Sequence, residues 1–156
     1  MARIRDLLTH GAVKLNMTPG SKKEWIEQLV DLLVRTYSLE NRRDEILDAV
    51  LQREGTLSTA IGSGLAFPHA KTDAVPRIVL AMGIAPGGVE FGAPDGRKVQ
   101  IAFVLASPST EVGAHVRALS AVSRIMSGGG MTEKLVNAKD IDEVISILYK
   151  AEEGLQ

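Results

Sequence analysis

The chain carries three histidines, and one of them closes the run Gly62-Ser63-Gly64-Leu65-Ala66-Phe67-Pro68-His69-Ala70. Glycines let the backbone turn sharply, three apolar residues follow, and a proline fixes φ immediately before the imidazole. Leu65 to Phe67 read as a short buried strand. Pro68 has no N–H to give a ladder, so pairing is expected to stop there. His69 then stands at the C-terminal exit of a strand, where open α/β sheets place ligand chemistry. A neutral imidazole there is a nucleophile, a proton carrier or a metal ligand. The alternative is a histidine that caps the strand and bonds a carbonyl.

His115 is the second candidate. On a helix it aligns with Leu119, Val122 and Met126, which puts it on a core-facing stripe near the helix N-terminus. Free N–H groups and a partial positive charge at such an end suit an anion. A buried histidine bonded to a backbone carbonyl is the other reading. Arg53 and Glu54 close an earlier helix, ahead of Gly55-Thr56-Leu57-Ser58-Thr59. A charged helix end is ordinarily solvated, with arginine favoured by the C-terminal dipole. A guanidinium also presents a planar fork of donors that matches a phosphate. Ser58 and Thr59 could bond that phosphate or the imidazole, or simply cap the next turn. His10 lies in a polar stretch and is assigned no role.

The elements that position these residues alternate between helix and strand, with no repeat or low-complexity tract. Arg3–Thr9 reads as a short helix and Ala12–Leu15 as a short strand. Ser21-Lys22-Lys23-Glu24 is a capping box that opens a helix to about Thr36, with Trp25, Leu29, Leu32 and Leu33 on one face. A second helix spans roughly Asn41–Gln52, with Ile46, Ala49 and Val50 inward. Ile78–Ile84 reads as a strand broken by Pro86-Gly87-Gly88. Val89–Phe91 and Val99–Leu105 flank Asp95-Gly96, a hairpin turn signal. Val99–Leu105 has the continuous apolar pattern of a strand covered on both faces. Helices follow at Val112–Met126, Met131–Asn137 and, capped by Asp140, through Ile141, Val144, Ile145 and Leu148. Helices before and after a central sheet imply layered α/β packing.

Composition narrows the function classes. A chain of 156 residues is one ordinary domain, long enough to bury about two-thirds of its unfolded surface. With 45% hydrophobic and 24% charged residues and a net charge of -1, no global field favours nucleic acid or an anionic membrane. Aromatics at 4% are too few for a base-stacking platform. The absence of cysteine excludes disulfide and thiol chemistry and fits a reducing compartment. The segment Met1-Ala2-Arg3-Ile4-Arg5-Asp6 lacks a signal peptide's apolar core, and no apolar run reaches bilayer length. The expectation is a cytoplasmic protein with no direct membrane insertion and no nucleic-acid partner.

Taken together, Arg53-Glu54, Ser58-Thr59 and the Gly62–Ala70 run resemble the IIA component of the phosphoenolpyruvate-dependent phosphotransferase system. The branch is the fructose/mannitol type, which includes the nitrogen-regulatory paralogues. The resemblance continues through Gly88-Val89-Glu90-Phe91, Asp95-Gly96, the Val99–Leu105 strand ending in Ser107-Pro108, and His115-Val116-Arg117-Ala118-Leu119. It covers nearly the whole chain. Two departures stand out: Phe67 replaces the usual smaller aliphatic, and Gly128-Gly129-Gly130 lengthens a loop.

The resemblance implies one α/β domain over residues 1–156, a mixed central sheet flanked by helices on both faces. It implies that His69 accepts a phosphoryl group, that His115 is the second active-site histidine, and that Arg53 lies near the phosphoryl, with Ser58 and Thr59 as further phosphoryl-binding candidates. The implied donor is the phosphohistidine of HPr or its nitrogen-branch counterpart, and the implied acceptor is a IIB domain. No metal or organic cofactor is required. A shallow apolar surface around Phe67 would suit brief docking of carriers. A second reading is a regulatory module that binds target proteins according to its phosphorylation state, for which a chain without an attached IIB or membrane segment is expected. A third, outside the family, is a metal-dependent hydrolase using His69 and His115, with Asp73 as the best third ligand.

Overall fold

A computed structural model describes residues 3–155; Met1 and Ala2 of the N-terminal segment, and Gln156, lie outside the described residues. The helices are Ile4–Leu7 (α1), Lys22–Thr36 (α2), Arg43–Thr56 (α3), Val112–Met126 (α4), Met131–Val136 (α5) and Ile141–Glu153 (α6). The strands are Val13–Lys14 (β1), Ala60–Gly62 (β2), Leu65–Ala66 (β3), His69–Lys71 (β4), Val79–Val89 (β5) and Val99–Ser107 (β6). They form a mixed sheet in the order β1-β5-β6-β3-β2, with β4 following β3 along the same edge of β6. Pairing is antiparallel for β5/β6 and β2/β3, and parallel for β1/β5, β3/β6 and β4/β6.

Caps set the helix starts. Ser21 Oγ accepts from Glu24 N at 3.1 Å, while the Glu24 carboxylate reaches back to Gly20 N at 3.0 Å. Two otherwise unpaired donors are satisfied at once. Asp140 does the same for α6, accepting from Glu143 N at 2.8 Å. The third helix begins later than its sequence pattern suggests, because Glu40–Arg42 form a 3₁₀ turn, and it runs on to Thr56. Its first residues therefore come from Arg43, and Arg53 stays in its last turn.

Three expectations are corrected by the sheet. Pairing does not stop at Pro68. The ring removes an N–H but leaves a carbonyl, which accepts from Leu105 N at 3.0 Å, and the ladder resumes at His69 opposite Leu105. His69 therefore opens a strand rather than ending one. Nor is β5 broken at Pro86-Gly87-Gly88: the register slips between Ile84 and Val89, Gly88 takes φ 77°, and pairing resumes at Val89 opposite Val99. The Gln100 side-chain amide donates to Pro86 O at 2.8 Å across that irregularity. A bulge absorbs a proline that a regular ladder would reject. Finally, Asp95-Gly96 is the tip of a longer connection from Glu90 to Lys98, not a two-residue hairpin. The Asp95 carboxylate holds Ser63 N at 2.8 Å and Arg97 N at 3.0 Å.

The turn leading into the histidine needs its glycines. Gly62, Ser63 and Gly64 have φ of 100°, 57° and 79° in succession, a left-handed stretch that side chains resist. Thr132 Oγ1 donates to Ser63 O at 2.6 Å and secures it from α5.

Helix α2 packs on β5 and β6 with α3 beside it, and α5 covers the other face of those strands with α6 behind it, joined by α1 and α4. Trp25, Leu29 and Leu33 of α2 are fully buried against the apolar strands. Gly83 permits that approach, since a Cβ there would stand 2.6 Å from Leu29 Cδ2 and from Met17 Sδ. At the far end of the domain, Ile4 N donates to the Glu152 carboxylate and Arg5 pairs with Glu152 and Glu153 at 3.2 and 3.1 Å. Tyr149 Oη adds a bond to Leu8 O at 2.9 Å. The first and last helices are thus tied together.

The connection from α3 to β2 is pinned by a buried carboxylate. Glu54 takes Thr59 N at 2.8 Å and Thr59 Oγ1 at 2.5 Å, and pairs with Lys22 Nζ at 2.8 Å. Lys22 also lies 5.0 Å over the Phe91 ring, which stands edge-on to Trp25 at 5.9 Å. Replacing Glu54 with alanine leaves the buried Thr59 donors without an acceptor. Glu54→Ala should therefore lower the unfolding free energy by about 2–4 kcal/mol in urea titrations, with Glu54→Gln intermediate. A wild-type midpoint for Glu54→Ala would mean the carboxylate does not hold this connection.

Candidate functional site

Two peptide segments meet at the end of β6. One is β4, which runs parallel to β6 with Lys71 opposite Ser107. The other leaves β6, turns at Pro108–Glu111 with Glu111 N on Pro108 O at 3.0 Å, and enters α4. Asp73 joins them, accepting from Ser109 N at 3.0 Å and Ser109 Oγ at 2.8 Å. Those two bonds hold its carboxyl below the usual range. The side chain expected as a third metal ligand is thereby engaged elsewhere. Among the described residues no three His, Cys, Asp or Glu side chains gather as a metal site would need.

The clasp brings His69 and His115 together, with ring centroids 5.3 Å apart and planes inclined at 58°. They are 46 positions apart in sequence by subtraction, 115 − 69. Each ring has one nitrogen fixed. His69 Nδ1 lies 2.7 Å from Phe67 O, and His115 Nδ1 lies 2.5 Å from Ser107 Oγ. Nε2 of each ring is left free of these partners. His69 is half-buried, whereas His115 is only 3% exposed.

The electrostatics favour neutral rings. Burial lowers the His69 pKa below 6.5, the Phe67 bond works against that, and the cations of Arg53 and Lys71 depress it further. For His115 burial is again the first cause, followed by His69 and Lys71, and its pKa falls to about 4. Cationic side chains around two uncharged imidazoles leave the site ready for an anion. Arg53 reaches it from the last turn of α3, where Nη1 donates to Leu57 O at 2.8 Å and fixes the guanidinium beside the loop.

Two clefts open on either side of His69. The larger, about 520 Å³, is walled by Phe67, Ile61, Ser58, Thr59 and the Leu119–Arg124 face of α4. The smaller, about 480 Å³, includes Lys71 and His115. Arg53, His69 and Leu119 border both. Phe67 is buried, tilted against Phe103 at 5.9 Å, and forms one wall of the larger cleft. Exposed large apolar residues include Leu57 and Ile61, upstream of Phe67, and Val112 and Val116, on the helix that carries His115.

The structure therefore brings His69, His115 and Arg53 to one place. Ser58 and Thr59 border the larger cleft, but Ser58 Oγ donates to Phe91 O at 2.7 Å and accepts Ala60 N at 3.2 Å. Thr59 Oγ1 donates to buried Glu54. Their hydroxyl hydrogens serve the loop. His10, given no role, pairs with Asp142 at 2.7 Å on the surface. Sequence reasoning missed Lys71 and Ser107. Lys71 was recoverable from alternation, since i and i+2 on a strand share a face. Ser107 reads from sequence as a strand terminator and nothing more.

Comparison with known proteins identifies the family of the chain. Residues 6–151 match the family described as "Phosphoenolpyruvate-dependent sugar phosphotransferase system, EIIA 2". The fructose-specific EIIA component of Haloferax volcanii is 35% identical over 141 residues, 90% of this chain and 91% of that protein. The fructose-specific EIIABC component of Bacillus subtilis is 33% identical over 146 residues, which is 94% of this chain but only 23% of that longer protein. The crystal structure of the nitrogen regulatory protein IIA-Ntr from Neisseria meningitidis superposes with a TM-score of 0.85 at 32% identity, covering 93% of this chain and 98% of that one. A profile match over most of the sequence, on a fold shared with IIA proteins, means that the chain belongs to the EIIA 2 family of the phosphoenolpyruvate-dependent sugar phosphotransferase system.

Proposed function

We propose that this protein is a phosphocarrier, taking a phosphoryl group onto His69 Nε2 from the phosphohistidine of HPr or its nitrogen-branch counterpart and passing it to a IIB partner. The observation that carries this reading is the Phe67 carbonyl 2.7 Å from His69 Nδ1. A carbonyl only accepts, so the proton sits on Nδ1 and Nε2 keeps its lone pair. Low basicity adds that this lone pair is available at neutral pH.

In the transfer, the donor's N–P bond breaks and its electron pair returns to the donor nitrogen, while His69 Nε2 forms the new N–P bond. The proton stays on His69 Nδ1, hydrogen-bonded to the Phe67 carbonyl. That bond stabilises the positive ring of the phosphorylated form, so the ring remains a good leaving group for the onward step. Phosphoryl transfer through a loose transition state asks mainly for alignment and for neutralisation of equatorial charge. Arg53, Lys71 and His115 are placed to supply the second. Ser58 and Thr59 enter this reading as the pinned wall of the cleft. The protein would work among cytoplasmic carriers and need no metal or organic cofactor.

The likeness to a nitrogen regulatory protein supports a second use of the same chemistry, in which the phosphoryl group is a signal read by a target protein. The rate at which a IIB domain removes the group from His69 separates the two uses.

Incubation with phosphoenolpyruvate, Enzyme I and HPr should add one phosphoryl group on His69, seen by mass spectrometry, and His69→Ala should take none. Wild-type protein left unmodified would sink the proposal. His115→Ala should keep its circular dichroism spectrum but accept phosphoryl on the order of tenfold to a hundredfold more slowly, as expected for loss of one donor to developing charge. Wild-type rates in that variant would remove His115 from the mechanism.

Stability should also report the two rings. Because their folded pKa values lie below the unfolded value of 6.5, with His115 at about 4, the unfolded chain binds protons first as pH falls. The stabilisation is fully present above 6.5 and is lost as pH drops towards 4. Thermal midpoints should be flat above pH 7 and decline between 6.5 and 4, and His115→Gln should flatten part of that decline. An unchanged slope in His115→Gln would contradict the buried neutral ring.

A further inference from the structure

Ser107 is the last residue of β6 and is fully buried. Its carbonyl accepts from Thr72 N at 2.8 Å, and its hydroxyl makes one hydrogen bond among the described residues, to His115 Nδ1 at 2.5 Å. The two atoms can be joined in either direction. If Nδ1–H donated to Oγ, the hydroxyl hydrogen would be buried with no acceptor, an arrangement folded proteins avoid. If the hydroxyl donates, its hydrogen is satisfied and Nδ1 must be unprotonated. A neutral His115 then carries its proton on Nε2.

We infer that Ser107 is a positioning residue, whose hydroxyl holds His115 in the Nε2–H form so that this ring presents a donor to the phosphoryl group on His69. The inference rests on the phosphocarrier reading for its purpose, but its geometry stands apart from that reading. It makes the two imidazoles opposites. The Phe67 carbonyl gives His69 an Nδ1–H and a free lone pair, while Ser107 gives His115 a free N–H. The two rings lie with centroids 5.3 Å apart, so a free lone pair on one and a free N–H on the other stand in the same small site. The arrangement has force because His115 is neutral at physiological pH, with burial, His69 and Lys71 all opposing its protonation. A neutral ring has a choice of tautomer that an imidazolium does not.

The experiment uses the full chain labelled with nitrogen-15 and long-range proton–nitrogen correlation spectra of the imidazoles at pH 7.5. His69 should show an Nδ1–H pattern and His115 an Nε2–H pattern. In Ser107→Ala the His115 pattern should shift to a mixture or to Nδ1–H while His69 stays unchanged. The initial rate of phosphoryl uptake from phospho-HPr should fall about tenfold, the effect of one hydrogen bond to a charged group. Ser107→Thr, which keeps the hydroxyl, should recover both the pattern and the rate. An Nδ1–H or imidazolium pattern for His115 in the wild type overturns the inference outright, and needs no variant that folds. So does an unchanged His115 pattern in folded Ser107→Ala. Failure of the wild type to accept phosphoryl with the Nε2–H pattern intact would defeat the phosphocarrier reading and leave the assignment of the hydrogen bond standing.

Discussion

Strand β6 carries the pairing on which both imidazoles depend. Its antiparallel edge holds β5, and its other edge holds β3 and β4 in parallel. Nearly every residue from Val99 to Ser107 is buried, so its register is set from both faces at once. A slip by one position would turn each apolar side chain to the wrong face. His69 is fixed by its place opposite Leu105, and His115 by the short turn that follows Ser107. One strand thus determines the separation of two side chains that the sequence keeps far apart. Asp73 on Ser109 closes the remaining freedom between the two segments.

The chemistry of the site follows from which partners can give a proton and which cannot. A backbone carbonyl accepts and a lone buried hydroxyl must donate. The protein uses one of each on equivalent nitrogens of two identical side chains, and so differentiates them. Around the rings, Arg53 and Lys71 lower imidazole basicity by their charge, and burial does so by withholding water. On the phosphocarrier reading the cations, unlike the burial, would also favour a visiting anion. The half-buried His69 remains within reach from outside.

Much of this was legible before any coordinates. The capping residues Ser21 and Asp140 named the starts of α2 and α6, because a cap is a local interaction between residues three apart. The bounds of α4 could be read from its stripe, and His115 was placed on the buried side by periodicity alone. Gly62 and Gly64 announced a turn that the positive φ values explain. What escaped was whatever depended on a neighbour distant in sequence. Pro68 and Pro86 look like breaks in isolation, yet Leu105 and Gln100 supply partners that let the sheet continue past both. Ser58 and Thr59 look like free hydroxyls until Phe91 and Glu54 are seen to bind them. Phe67 reads as part of a buried strand, but its place in the wall of the cleft depends on the face of α4 opposite it. Ser107 reads only as the end of a strand, because its bond to His115 crosses the turn to α4.

The knot between α1 and α6 has a bearing on how such a unit can be used. Ile4 and Arg5 are bonded to Glu152 and Glu153, so the polypeptide arrives and departs at one spot. A fold in which the first and last helices adjoin can be inserted into a loop of another domain with little strain on either.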